Sequence, residues 1–528
     1  MRIAVAQINP RVGDCAGNVA KMLEFAQKAQ AQDAKLIVFG ARPITGAPID
    51  GLIDSHAFIE DVHSHLELFA KECPIRALLS STSVVELDED TLAVTDELFL
   101  VEKGKLSSLG APALLESDVV PVVEVKDEDI AVLFNAHFEV GTDVENMRVL
   151  IEMSKDAFGD ETAAPAARAD LQRLSAVASD NAAFLIYVNL CGAADSRVFS
   201  GNSTITAPNG SLVHAAEIDE EDLFVFDTAP EAPTVVLGRP SVELEDCEIV
   251  WRALAQGTRD YVRKNGFTDV IVGLSGGIDS AVVATIATDA LGAEHVHGVL
   301  MPGPYSSEHS LTDARRLASN LGISAVEVPI EPVLDSFHAI LDEQCGGIVD
   351  GLAAENLQAR VRTVNLMTIA NTYGWLLLNT GNKSEAAMGF STLYGDTAGA
   401  YAPIGDIYKT EVYELAEWRC KQGTCIPQNS IDKPASAELY PDAQDEDRLP
   451  PYKTLDAILE DHIENGMGAD ELVEAGHDAE TVRFVLKTVQ RNEYKRRCEP
   501  ISPHVLGVAL TSERAWPITN GWSDPGAK

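Results

Sequence analysis

No stretch of this 528-residue chain is apolar over the roughly 20 residues that a membrane-spanning helix needs. The opening run Met-Arg-Ile-Ala-Val-Ala-Gln-Ile enters directly as a strand, without the pattern of a secretory signal, so the expected location is the cytoplasm. Basic residues are scarce: 40 Lys and Arg stand against 82 Asp and Glu, a formal net charge of -42. A chain of that sign repels polyanions over a Debye length, which excludes nucleic acid and anionic membranes as partners. Cysteine occurs eight times but without metal-ligand spacing, and Cys420 and Cys425 are separated by four residues instead of the two of a CxxC pair. Reduced thiols are expected, with neither a disulfide nor a metal role.

What is present is ordinary in bulk, with 46% apolar and 23% charged residues. The length exceeds what one core fills, so at least two domains are expected. In the first half, apolar runs over residues 3–8, 34–39, 130–134 and 184–188 read as strands, and residues 19–32 as a helix. Residues 200–208, followed by Asn209-Gly210, carry the alternation and turn of a hairpin. Near residues 228–239 the text becomes Pro-rich and loses periodicity. The division that follows is a first domain over residues 1–232, a linker over 233–245 and a second domain over 246–528.

The second domain opens with a helix over 246–264 and then alternates strands, at 270–274, 297–301, 325–330 and 375–379, with helices, one of them closed by Gly322. Such alternation predicts a parallel sheet with helices on both faces and ligands at the strand C-terminal ends. At one of those ends stands Ser275-Gly276-Gly277-Ile278-Asp279-Ser280. A strand passing through a glycine turn into a helix presents unpaired N–H groups and a positive dipole end, suited to phosphate. The Lys of a Walker A loop is missing, and Asp279 stands inside the turn, where it could hold a magnesium ion on the phosphates. A second polar turn, over residues 379–385, ends another strand of the same sheet and would share the crevice. Cations needed against the acidic background are supplied by Arg360, Lys383, Lys409, Lys433, Lys495 and Arg496. On the helix over 353–371, Asn356 and Arg360 are spaced to share a face and could grip a carboxylate or phosphate.

These motifs occur in one order. Ser275 to Ser280, Glu-Asn-Leu-Gln-Ala-Arg-Val-Arg at 355–362, the turn at 379–385 and Ser-Thr-Leu-Tyr-Gly-Asp at 391–396 come first. Then follow Pro-Ile-Gly-Asp-Ile-Tyr-Lys-Thr at 403–410, Lys-Pro-Ala-Ser-Ala-Glu-Leu at 433–439, Asp-Glu-Asp-Arg-Leu-Pro-Pro-Tyr at 445–452, Arg-Asn-Glu-Tyr-Lys-Arg at 491–496 and Trp-Pro-Ile-Thr-Asn-Gly-Trp at 516–522. Together they closely resemble the synthetase domain of the two-domain, glutamine-dependent NAD+ synthetases. The resemblance implies a Rossmann-like pyrophosphate-loop fold that amidates deamido-NAD+ to NAD+, through an adenylated intermediate, with ATP and Mg2+. By motif position, Gly273, Ser275, Gly276, Gly277, Asp279, Ser280, Thr380, Lys409 and Ser436 would contact ATP. Asn356, Arg360, Glu385, Phe390, Thr392, Asp396 and Lys495 would contact deamido-NAD+. Asp279 and Glu385 would hold the metal, with Asp279, Lys409 and Glu385 forming the catalytic set; which role dominates at Glu385 stays open.

The first half resembles the nitrilase-like glutaminase domain, an α/β sandwich, through residues 1–14, Thr-Gly-Ala-Pro at 45–48, Tyr-Val-Asn at 187–189 and Val-Phe-Ser-Gly-Asn-Ser at 198–203. Such domains free ammonia from glutamine with a Glu base, a Lys and a Cys nucleophile. At the base position this chain has Ala41, at the nucleophile Asn135, and no lysine lies in 107–115. Cys191 and Cys73 lack comparable Glu and Lys neighbours and read as inert thiols. The expectation is an NAD+ synthetase fed with free ammonia, its first domain catalytically inactive and serving assembly, the chain forming a dimer or larger homo-oligomer. The alternatives are a glutamine-dependent synthetase whose ammonia comes from an unrecognised or separate glutaminase, and, more remotely, a non-catalytic scaffold.

Overall fold

The computed structural model describes residues 1–88, 91–110, 122–125, 128–134, 137–142, 144, 147–159, 163–228, 244–345, 350–423, 426–510, 513–522 and 524–527. The chain folds as two compact units, Met1–Ala253 and Leu254–Lys528.

In the first unit, alternating apolar residues build two six-stranded sheets. In chain order the strands are β1 (Arg2–Gln7), β2 (Leu36–Phe39), β3 (Arg76–Asp88), β4 (Thr91–Glu102), β5 (Lys105–Gly110), β6 (Val122–Val125) and β7 (Glu128–Phe134). They continue as β8 (Val149–Met153), β9 (Phe184–Val188), β10 (Ala193–Ala194), β11 (Arg197–Val198), β12 (Thr204–Thr206), β13 (Leu212–Ala215) and β14 (Asp222–Asp227). The sheet orders are β14-β1-β2-β3-β4-β5 and β13-β12-β9-β8-β7-β6. Ile3, Val5, Leu36 and Val38 of the first sheet pack with Ile130, Ile151 and Ile186 of the second. The intervening residues Ala4, Ala6, Ile37 and Phe39 point the other way, onto Val19 and Met22 of α1 (Cys15–Ala31) and Leu66 and Phe69 of α2 (His56–Glu72). Leu150 and Leu185 meet Leu174 and Val177 of α3 (Ala163–Asp180) on the far side. The result is the helix–sheet–sheet–helix sandwich that the nitrilase resemblance implied.

The hairpin expected over 200–208 is shorter than its sequence pattern: β12 pairs with β13 around a turn in which Gly210 has φ 79°. The expected linker lies outside the described residues through position 243. Helix α4 (Asp246–Lys264) has the predicted bounds, but the unit boundary falls inside it, eight residues beyond the start expected for the second domain at 246. Arg252 explains the shift: its guanidinium is bound to Glu217 at 2.7 Å and to Asp219, which ties the first turns of α4 to the first unit.

The second unit is built on β15 (Val270–Gly273), β16 (Val296–Leu300), β17 (Ser324–Glu327) and β18 (Leu376–Leu377), all parallel, in the order β17-β16-β15-β18. Helices α5 (Ile278–Leu291), α6 (Glu308–Leu321), α7 (Glu331–Cys345) and α8 (Gly351–Tyr373) connect them. Gly322 closes α6 in the left-handed conformation, at φ 71°, as its place in the sequence required. Helix α5 is buried nearly all round, through Ile278, Ala281, Val282, Val283 and Ile286, whereas Leu334, Val361 and Ala370 of α7 and α8 cover Ile271 and Val299. Strand β18 is short, with Leu376 and Leu377 registered on Val270 and Ile271, and Leu378 bridges Tyr401 on its other side.

Beyond β18 lie α9 (Lys383–Met388), α10 (Lys409–Lys421), α11 (Gln428–Asp432) and α12 (Tyr452–Ile463). Their mutual placement hinges on Lys383, a buried side chain whose ammonium meets Glu464 at 2.8 Å, Asp406 at 2.9 Å and the Val508 carbonyl at 2.8 Å. Asp406 in turn accepts the N–H groups of Val505 and Leu506, each at 2.9 Å. Removing the cation strands two carboxylates, so Lys383→Ala is expected to destabilise the protein by about 3–5 kcal/mol. Urea unfolding of the variant against the parent protein measures this.

Candidate active site

The phosphate turn starts where β15 ends. Gly276 has φ 80°, and a Cβ there would lie 2.2 Å from the Ser310 carbonyl oxygen, so a side chain at this position collides with the backbone of α6. Ser275 and Ser280 lock the turn from within. Their hydroxyls are 3.0 Å apart; Ser275 Oγ accepts the Gly277 N–H at 3.1 Å, and Ser280 Oγ donates to the Gly277 carbonyl at 3.2 Å. Ser430 of α11 donates to the Gly276 carbonyl at 2.9 Å. Helix α5 begins without a side-chain cap, which leaves its first N–H groups available to an anion.

The second turn follows β18, beside β15 in the sheet. Asn379 shapes it, its amide donating to the carbonyls of Asp396 at 2.7 Å and Ala398 at 2.9 Å while its oxygen accepts the Gly381 N–H at 2.7 Å. Asn382 then caps α9 in a capping box with Glu385. The two turns meet at Asp279: its Oδ1 accepts from Asn382 at 3.0 Å and its Oδ2 lies 2.5 Å from Lys409 Nζ. Glu385 Oε1 is 3.8 Å from the same ammonium. Lys409 is 1% exposed. Burial works against its charge, but Asp279 and Glu385 outweigh it and hold the ammonium above its ordinary range. Burial, and then the charge of Asp279, push the Glu385 carboxyl well above the usual carboxylate range, with Lys409 opposing.

Around this cluster opens a cavity of about 790 Å³, the size of a small-molecule site. It is lined by Gly273, Ser275, Gly277, Asp279, Ser280, Thr380, Lys409 and Ser436 from the expected ATP set, and by Asn356, Glu385, Phe390, Thr392, Asp396 and Lys495 from the expected dinucleotide set. Thr392 donates to Asn356 at 2.8 Å and offers its N–H to Asp396, and Lys495 donates to the carbonyls of Gly389 and Ser391, both at 2.7 Å. Arg360 stands apart. It is exposed, donates from Nε to the Leu393 carbonyl at 3.2 Å, and does not join the lining; Arg362 does, with its Nε on the Met301 carbonyl at 3.1 Å. Burial pulls the Arg362 guanidinium down to about 10. The motif at 355–362 contained this arginine, but only the tertiary contact with the end of β16 selects it. Asn382 was likewise missed. Among the described residues no group of three or more His, Cys, Asp or Glu could hold a metal. Magnesium, however, is commonly held by one or two carboxylates, with water and substrate phosphates completing its shell, and Asp279 with Glu385 fits that demand.

In the first unit Ala41 is fully buried just beyond β2, its N–H on the Ser154 carbonyl at 2.8 Å. Its methyl offers no titratable group. Next to it Arg42 binds Asp96 through Nε at 2.8 Å. Asn135 lies outside the described residues, as do residues 111–115 of the segment without lysine. His137 is not a plain surface residue. It stands 3.3 Å from the buried Glu152, whose hydrogen bond raises the imidazole to about 8 against the effect of burial. Cys73 and Cys191 are buried, and desolvation pushes the Cys73 thiol up to about 11, far from a thiolate nucleophile.

A glycine turn at a strand end, a helix N-terminus and a buried carboxylate–lysine cluster define a phosphate-loop α/β enzyme. Comparison with known proteins gives the particular family. The profile of the family described as NAD synthase matches residues 250–499. The chain is 33% identical to a glutamine-dependent NAD(+) synthetase of Thermotoga maritima, over 99% of both chains. It is 34% identical to one from Synechocystis, covering 99% of this chain and 100% of the relative. Among solved structures, the glutamine-dependent NAD+ synthetase of Acinetobacter baumannii in complex with ADP superposes with a TM-score of 0.72 at 30% identity, over 99% of each chain. That of Cytophaga hutchinsonii gives 0.80 at 19% identity, over 99% of this chain and 98% of the other, a likeness of fold. The chain belongs to the NAD+ synthetase family, in the two-domain branch whose members are described as glutamine-dependent.

Gly276→Ala forces apart two backbones that now touch, and is expected to lose about 1–3 kcal/mol of stability and to weaken ATP binding. Urea unfolding and calorimetric titration with ATP read the two effects.

Proposed function

We propose that the second unit converts deamido-NAD+ to NAD+ in two steps, with ammonia as the immediate nucleophile. In the first, an oxygen of the substrate carboxylate attacks the α-phosphorus of ATP, the α–β phosphoanhydride bond breaks and pyrophosphate leaves. In the second, the nitrogen of ammonia attacks the activated carbonyl carbon, the bond to AMP breaks and the nitrogen gives up a proton. The observation that carries this reading is the cluster of Asp279, Lys409 and Glu385 between two turns at adjacent strand ends. The N–H groups that start α5 receive phosphate oxygens, and Lys409 supplies a buried point charge where negative charge gathers. Asp279 and Glu385 would hold Mg2+, which supplies neutralisation of the phosphates. Asn356, Thr392, Asp396 and Lys495 form the wall assigned to the dinucleotide.

The source of the ammonia separates two readings. Ala41 cannot act as a base, which favours free ammonia with an inactive first unit. The shared description of the relatives as glutamine-dependent favours the other reading, in which glutamine is the ultimate donor through a separate or unrecognised glutaminase. The same proposal includes a cytoplasmic homo-oligomer; no helix among the described residues is long and apolar enough to cross a membrane.

Purified protein given ATP, Mg2+ and deamido-NAD+ is expected to form NAD+ with ammonium and none with glutamine. Equal rates with both donors would establish glutamine use by this chain, and no product with either would leave only the scaffold reading. Asp279→Asn is expected to keep the fold by circular dichroism and to lose roughly 100-fold or more of ATP–pyrophosphate exchange.

A further inference from the structure

Asn382 touches both carboxylates assigned to the metal. Its Nδ2 donates to Asp279 Oδ1 at 3.0 Å, bridging from the turn after β18 to the first turn of α5. Its Oδ1 accepts the Glu385 N–H at 3.0 Å, and its own backbone N–H returns to Glu385 Oε2 at 3.3 Å. The residue is 0% exposed. Both ends of the buried amide are therefore used, which fixes its orientation.

Helix capping alone does not explain an amide here. Ser, Thr or Asp caps as well as Asn. Asp would set a further negative charge beside Asp279 and Glu385, and the short hydroxyl side chains lack the second, donating arm. Only an amide accepts from α9 at one end and donates to Asp279 at the other. The two oxygens of Asp279 are thereby distinguished: Oδ1 is held by Asn382, and Oδ2 faces the Lys409 ammonium at 2.5 Å.

We propose that Asn382 is a positioning residue, which reserves Oδ1 of Asp279 so that a single divalent cation would be taken by Oδ2, in exchange for the Lys409 ammonium that now holds it, together with the Glu385 carboxylate. This rests on Asp279 and Glu385 being the metal ligands, and the test separates the two ideas. Mn2+ binding would be followed by the electron paramagnetic resonance of the free ion, with the α,β-methylene analogue of ATP present, in the parent protein and in Asn382→Ser, Asn382→Ala and Asp279→Asn. Ser keeps a capping oxygen and loses the donor, whereas Ala loses both; Asn382→Thr replaces Asn382→Ser if the latter does not fold. The expected result is Mn2+ affinity about tenfold or more weaker in both Asn382→Ser and Asn382→Ala, with Tm lowered further in Asn382→Ala. If Asp279→Asn leaves Mn2+ affinity unchanged, the ligand assignment itself fails. If Asp279→Asn weakens binding while Asn382→Ser stays within about twofold of the parent, Asn382 is a helix cap alone and the positioning role is overturned.

Discussion

A charged lysine with 1% exposure can persist only if its surroundings replace the water it gave up. At Lys409 that replacement is made by Asp279 and Glu385, aided by the face of the Tyr452 ring, 5.4 Å from the ammonium. The requirement fixes much else. Asp279 must stand in the first turn of α5, Glu385 in the first turn of α9 and Lys409 at the start of α10, so three helix N-termini converge on one point. The cluster sets one ammonium against two carboxylates, so in a chain whose net charge is -42 an anionic substrate would depend on the helix N-termini and on a cation bound at those carboxylates as well as on Lys409. On the proposed reading, a substrate phosphate reaching Lys409 would compete with carboxylates already in place, and a cation on those carboxylates would ease the exchange.

The fold was legible where local and global signals agree. Helix α4 could be bounded to the residue, and the strand–turn–helix at 270–291 followed from an apolar run, two glycines and a good helix sequence. The long β3–β4–β5 meander escaped because its pattern is broken: Ser80, Ser81 and Thr82 are buried where alternation leads one to look for Val or Ile. The Thr82 hydroxyl donates to Asp96 and that of Ser80 accepts the Arg42 N–H, contacts that only the tertiary structure supplies.

The site was legible as a set of residues but not as a geometry. Nearly all of the residues its motifs assigned to ligands line the cavity, yet helical spacing placed Asn356 and Arg360 together when Arg362 is the one turned inward. A period of 3.6 assigns faces; it does not say which long side chain finds an acceptor across the crevice. Asn382 shows the same limit. Its capping signature is local, whereas its bond to Asp279 spans 103 positions of sequence.

The brevity of β18 leaves the turn after it dependent on more than the sheet. Two residues of β18 register on β15 and Leu378 bridges Tyr401 on the other side, but the turn that follows is also pinned by Lys383, which stands between Asn382 and Glu385 and is buried against Asp406 and Glu464. Opening this turn means breaking buried ion pairs as well as strand hydrogen bonds, so it is costly. The site and the fold therefore share an anchor, and heat or denaturant that opens the turn also breaks the ion pairs that hold the helices beyond β18 together.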